Sequence, residues 1–276
     1  MEQRQRLDRE LIGEPRLWRL AMRIGEKSLH VILLSTIEDN SLIYSEIPID
    51  SANTDRLKAL EEAVYENPLL LSDFGRIDCI VETEKFIITP SIIKSTEVRE
   101  RMIKTTFENF EGEIITNELP GINATILMGI EADFIGFLRR TFNNPHIHHH
   151  LSSLCRYFNH KSRLGNSGKM YANMRDDRLD LLAFGKDSLL LANTFRYRDP
   201  MDAVYYILAC RQSLGLNAGS DELFLAGDKE VRETITPTLR EYLAYVMPVI
   251  FPSAMFKAGK EALNAPFDLI VLPLCE

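Results

Sequence analysis

The chain is poor in cysteine, has no surplus of basic charge and contains no long apolar run, and each shortage removes a class of function. Four cysteines, Cys79, Cys155, Cys210 and Cys275, are spread over 276 residues. None forms a CxxC pair and each lies in an apolar run, so buried reduced thiols are expected in place of disulfides or a cysteine metal site. No segment approaches the roughly 20 apolar residues of a membrane-spanning helix, and the first 20 residues alternate charge without the apolar core of a signal peptide. A soluble, cytoplasmic protein is the expectation. Lys and Arg total 32 against 40 for Asp and Glu, and the net charge of −8 makes nucleic acid a poor partner. There is no GxSxG and no cysteine in an electropositive setting, so the nucleophile arrangements are missing. What remains is a globular composition, 45% hydrophobic and 26% charged, long enough for one large or two medium cores.

The most organised stretch is Lys169 to Arg196. It alternates apolar and polar residues and turns at Arg175-Asp176-Asp177 and at Gly185-Lys186-Asp187, which predicts three antiparallel strands. Leu17 to Ile49 has the same pattern. Aligning the first turns sets Arg23 beside Asn173 and Gly25 beside Arg175, an offset of 150 residues. Each meander is followed by a helix and a strand. In the first half, Asn53-Thr54-Asp55 caps a helix running to Glu66, Asn67-Pro68 stops it, and Ile77 to Glu82 forms a strand. In the second half, Asp199-Pro200 opens a helix from Met201 to Ser213, and a strand from Asp221 to Ala226 follows, ending at Gly227-Asp228. Helical segments are expected at Lys229 to Thr234 and Thr238 to Leu243, and strands at Val246 to Ile250 and Phe267 to Leu272. Extra strands and helices fill about 85–130, with a helix from Glu131 to Phe142. Residues 1–15 read as a charged arm, 16–160 as the first domain, 161–168 as a linker and 169–276 as the second domain.

A three-strand meander followed by helix and strand, used twice, resembles the duplicated ribonuclease H-like half of the actin-like ATPase fold. On that order and spacing the chain resembles an uncharacterised bacterial family of domain-of-unknown-function proteins assigned this fold. More distantly it is similar to the actin-like proteins of pilus assembly and secretion. The resemblance implies an α/β fold of two mixed-sheet domains with a cleft between them, and ATP as the cofactor to test for. It also implies where nucleotide would be held. The first phosphate loop, DxG(S/T) in the superfamily, falls on Arg23-Ile24-Gly25-Glu26, where arginine replaces the carboxylate and Glu26 stands where a small hydroxyl would donate to phosphate. The second falls on Asn173 to Leu179, with Arg175 in place of glycine and two acids in the turn. The adenosine motif falls on Leu225-Ala226-Gly227-Asp228 and keeps one glycine. Arg23, Gly25, Asn173, Arg175, Ala226 and Gly227 are therefore the candidate nucleotide positions. Arg23 or Arg175 can bind phosphate directly, whereas a solvated hairpin turn is the alternative for Arg23 and for Asp176-Asp177.

Other clusters are less specific. His146, His148 and His150 would share one strand face and could chelate a metal, although no Cys or carboxylate follows them in sequence. The loop Arg163 to Met170 has Gly168-Lys169 in the manner of a Walker A motif, but Arg163 and Met170 stand where glycine and a hydroxyl are required. Arg139-Arg140 and Arg196 to Arg198 read as solvated basic faces. Tyr242, Tyr245, Phe251 and Phe256 are expected to pack in the core and at its edge, with an exposed partner surface as the alternative. The functional expectation is a non-catalytic or regulatory actin-like protein that binds a protein partner; the rival is an atypical ATPase or small-molecule kinase.

Overall fold

Alternating sequences give the strands, and the pairing of those strands gives two sheets of the same topology. The structure is a computed structural model that describes residues 12–49, 55–108, 110–186 and 188–275. Residues 1–11 of the charged arm, the Asn53-Thr54 part of the first expected cap and Asp187 of the second expected turn lie outside the described residues. Two compact units are formed. The first takes the described residues within 1–118, 125–150 and 252–265, and the second those within 119–124, 151–251 and 266–276.

In the first unit, β1 (Trp18–Ile24), β2 (Ser28–Ser35) and β3 (Ile43–Pro48) form the expected antiparallel meander. α1 (Arg56–Tyr65) follows, with the Asp55 side chain accepting from the Leu57 amide at 2.9 Å, and then β4 (Arg76–Val81) pairs parallel with β1. β5 (Phe86–Pro90), α2 (Thr96–Thr106), β6 (Glu113–Leu119) and β7 (Ala124–Ile130) make the inserted material, whose strands form a separate sheet in the order β5-β7-β6. α3 (Ala132–Thr141) precedes β8 (His146–His149), which completes the main sheet in the order β3-β2-β1-β4-β8. Leu20, Met22, Leu29, Val31, Cys79 and Val81 point to one side of this sheet. There they join Leu60 and Val64 of α1 and Phe134, Phe137 and Leu138 of α3 in one apolar core.

α4 (His150–Ser162) leads into the second unit, where β9 (Lys169–Arg175), β10 (Arg178–Phe184) and β11 (Leu189–Arg196) form the second meander. α5 (Pro200–Ser213) opens with a capping box between Asp199 and Asp202. β12 (Glu222–Gly227) then pairs parallel with β9, and α6 (Lys229–Tyr242) and β13 (Val246–Pro248) follow, so the sheet order is β11-β10-β9-β12-β13. The offset of 150 holds through the register: Arg23 faces His30 in one meander as Asn173 faces Asp180 in the other. α5 and α6 cover one face of this sheet through Val204, Ile207, Ile235 and Leu239. On the other face Tyr171 stacks on Phe158 of α4 at 3.9 Å, and Phe158 stacks on Phe267 at 5.6 Å. That aromatic column groups α4 with the second sheet, so the division between units falls ahead of the 161–168 linker.

Two expected elements differ. The two helical segments around residues 229–243 are one helix, α6, that continues through Pro237, because Ile235 and Leu239 on either side of the proline are both buried in the second core. Phe267 to Leu272 is not a strand. After the short α7 (Ser253–Phe256) it forms α8 (Phe267–Val271), since an apolar run of this length suits a buried helix turn as well as a strand and Pro266 starts it as a helix. Among the described residues no helix is long and apolar enough to cross a membrane.

Gly227 is a position where this fold tolerates no side chain. It lies opposite Met174 with φ +83, and a Cβ there would fall on the Met174 carbonyl oxygen, far inside van der Waals contact. Gly227→Ala is expected to destabilise the protein by at least about 2 kcal/mol in urea unfolding, from backbone strain and the clash together.

Candidate functional site

The face of the first sheet opposite its apolar core is buried and charged. Arg19 and Arg23 lie four residues apart on β1 and point to that face, as do Asp78 in β4 and Glu82 just beyond it. Arg19 Nε donates to Asp78 Oδ2 at 2.8 Å, and Arg23 Nη2 lies 3.1 Å from Glu82 Oε2. Both Arg23 and Glu82 side chains are 3% exposed. Arg23 is thus a buried, ion-paired residue and not part of a solvated turn. The carboxylates of this face were hidden in sequence because Asp78 and Glu82 sit in a strand that otherwise reads as continuously apolar. Their spacing of four, matching that of Arg19 and Arg23, was the available signal.

Asp78 is the centre of the face. It accepts from Arg19, from Arg76 Nε at 2.9 Å, and from His148 Nε2 at 2.9 Å, where the carboxylate can only accept and the imidazole donates. Burial alone would raise the Asp78 carboxyl, but the hydrogen bonds from His148 and Arg76 and the charge of Arg19 outweigh it and hold the group well below the usual carboxylate range. Beside it, His30 bonds Ser28 Oγ and Tyr44 Oη, each at 2.9 Å, and its ring lies parallel to that of Tyr44. Gly25 closes the β1–β2 turn, its amide donating to the Ser28 carbonyl at 3.0 Å.

In the second unit the chain brings Asn173, Arg175, Ala226 and Gly227 together. Asn173 pairs with Ala226 across β9 and β12, and Gly227 with Met174 one step further. Asn173 Nδ2 donates to Asp180 Oδ2 at 3.1 Å, and Thr194 Oγ1 donates to Asp180 Oδ1 at 2.9 Å. Asp180 is 3% exposed and was not singled out from sequence, since it occupies an alternate position in a strand. A carboxylate therefore contacts each of the two candidate phosphate-loop residues, Glu82 at Arg23 and Asp180 at Asn173. Asp176 is the left-handed residue of the β9–β10 turn, with φ +51, and is exposed.

The remaining clusters resolve separately. His146 and His148 share a face of β8, but His150 opens α4, its ring tilted against that of His149 with centroids 4.1 Å apart, so the expected three-histidine face is not formed. Lys169 of the Walker-like loop donates to the Leu164 carbonyl and lies 3.5 Å from Glu222. Arg139 pairs with Glu113 at 2.7 Å. Tyr242, Tyr245 and Phe256 are exposed and Phe251 is half-buried, in place of the expected core. Cys79 and Cys155 are free and fully buried, and burial pushes both thiols up.

Residues 13–246 match the family described as "Protein of unknown function (DUF3822)". Among solved structures, a Bacteroides thetaiotaomicron protein with actin-like ATPase fold and unknown function is 26% identical with a TM-score of 0.80, over 95% of this chain and 97% of that one. A chain of the PilM–PilN type IV pilus biogenesis complex is 14% identical with a TM-score of 0.56, over 95% and 98% respectively. No curated protein matches the sequence. The fold is thus the actin-like ATPase fold.

The Asp78 cluster sets an acid-side stability limit. The folded carboxyl titrates below its unfolded value of about 4, so its contribution is present above that pH and is lost as pH falls through the lower, folded value. Asp78→Asn leaves Arg19 and Arg76 around a neutral group and is expected to cost about 3–5 kcal/mol at pH 7 by chemical denaturation, with a smaller difference from wild type at pH 3.

Proposed function

Because the chain belongs to the DUF3822 family and has the actin-like ATPase fold, we propose that it is a binding or scaffold component whose phosphate-loop positions serve internal bonding and not nucleotide. The observation that carries the reading is the Arg23–Glu82 pair. At the place of the first phosphate loop, a guanidinium buried with a carboxylate 3.1 Å away presents no net positive charge to a phosphate, and Glu82 repels one. Asn173 at the second position spends its amide on Asp180. Phosphoryl transfer by this fold depends on a metal held between carboxylate and phosphate, and on backbone amides near a glycine turn. Here the nearby carboxylates are already engaged by arginine, asparagine and threonine.

A protein is the partner class proposed. The pilus biogenesis neighbour is a component of a complex with PilN, and a two-unit actin-like scaffold that retains its shape without turnover suits a comparable docking role; the support is an analogy of fold. The net charge of −8 disfavours nucleic acid, and a cytoplasmic location goes with this reading.

Thermal unfolding with ATP, with and without magnesium, tests the proposal. Linkage to a nucleotide at ~100 times its Kd adds about 2.7 kcal/mol, a rise of several degrees for a chain of this size. The expected result is no shift at ~1 mM ATP. A magnesium-dependent rise would establish the rival, an atypical ATPase or small-molecule kinase.

A further inference from the structure

Away from the phosphate-loop positions, the second unit contains a cavity of about 460 Å3 against the C-terminal end of α4. This is the size range of small-molecule sites. Arg156, His160, Lys161 and Arg163 line it, and among the described residues no aspartate or glutamate does. In a chain of net charge −8, such a wall runs against the composition.

The cations are not explained by the helix alone. Basic residues in the last turn complement the partial negative charge of a helix C-terminus, which accounts for His160 and Lys161. Arg163 lies beyond the end of the helix, two residues past Lys161, and lines the same space. Among the described residues no carboxylate pairs with Lys161 or Arg163.

Two of the cations are nevertheless held in place. Arg163 Nη2 donates to the Gly121 carbonyl at 2.6 Å, and Asn159 Nδ2 reaches the same oxygen at 3.5 Å. That one bond orients a guanidinium which has five N–H donors in all. Lys161 Nζ is stationed 5.7 Å above the Tyr157 ring. Tyr157, Pro120 and Leu274 supply the apolar part of the lining.

We propose that this cavity binds a small molecule bearing phosphate groups, its phosphate against Arg163 and Lys161 and its organic part along Tyr157 and Leu274. A planar guanidinium and an ammonium lining one space match a polyanion's oxygens. The site lies wholly within the second unit and stands apart from the reading of the phosphate-loop positions.

Calorimetric titration of the whole chain with pyrophosphate at constant ionic strength tests it, with Lys161→Gln and the pair Lys161→Gln/Arg163→Gln as variants. Saturable binding to wild type is expected, weakened by at least about tenfold in the double variant, which corresponds to about 1.4 kcal/mol. The single variant leaves the Arg163–Gly121 bond intact and should also weaken binding, with an unchanged melting temperature. Asn173→Ala should bind as wild type does. The proposal is overturned by an absence of saturable heat or by equal affinity of the Lys161 variants and wild type. Loss of binding in Asn173→Ala alone would also overturn it, and would count against the proposed loss of nucleotide function instead.

Discussion

The first unit depends on two buried ion pairs that join β1 to β4. Arg19 to Asp78 and Arg23 to Glu82 both span 59 positions, because a four-residue step along each of two parallel strands repeats the same diagonal contact. A slip of β4 by one residue would turn Asp78 and Glu82 into the apolar core, away from Arg19 and Arg23. Buried pairs contribute little net stability compared with an apolar replacement, yet they heavily penalise states that separate them. For two strands connected by a long crossover through α1, that penalty specifies register. Once β4 is registered on β1, the Gly25 turn lies beside Glu82 and β8 is aligned so that His148 reaches Asp78.

The second unit solves the same problem with other residues. The backbone bond from Glu82 N to the Ile24 carbonyl has its counterpart in Asp228 N to the Met174 carbonyl, at 3.2 and 2.7 Å. The side chains around it have diverged. Where the first unit has Arg19, the second has Lys169, paired with the directly opposite Glu222; where the first has Arg23 bound across a parallel pair, the second has Asn173 bound across an antiparallel one. Gly227 follows from the different continuations. After β12 the chain reverses at once into α6, with Asp228 capping it through the Val231 amide, and only a left-handed residue without a Cβ allows that turn. After β4 the chain runs on into the inserted sheet, and Val81 occupies the equivalent place.

Much of this architecture was legible from local signals. Alternation identified both meanders, and Asp55, Asp199 and Pro200 marked helix starts because capping is decided by neighbouring residues. The 150-residue offset followed from aligning two turns, and the strand registers agree with it. What failed were features set by distant contacts. Two helical segments are expected at Lys229 to Thr234 and Thr238 to Leu243, but burial of Ile235 and Leu239 against the second core keeps α6 continuous through Pro237. Phe267 to Leu272 is apolar apart from Asp268 and is too short to show a periodicity that separates helix from strand. Asp78, Glu82 and Asp180 are obscure in sequence for the same reason: each acid interrupts an apolar stretch, and its partner lies on another strand.

Charge therefore has to be judged with its partner. Arg23 occupies a phosphate-loop position, but Glu82 shares its burial, and the pair offers little to an anion. Lys169 has the sequence context of a phosphate-binding lysine, yet Glu222 and the Leu164 carbonyl hold it. Lys161 and Arg163 lie in a segment that sequence marked only as a linker, and among the described residues neither has a carboxylate paired with it. A cation neutralised within the fold specifies structure; one oriented by a neutral partner, as Arg163 is by Gly121, keeps its charge directed at whatever enters the space in front of it. By that criterion the polar groups at the candidate phosphate-loop positions fit the proposed scaffold role, and the basic wall at the end of α4 fits the proposed anion site.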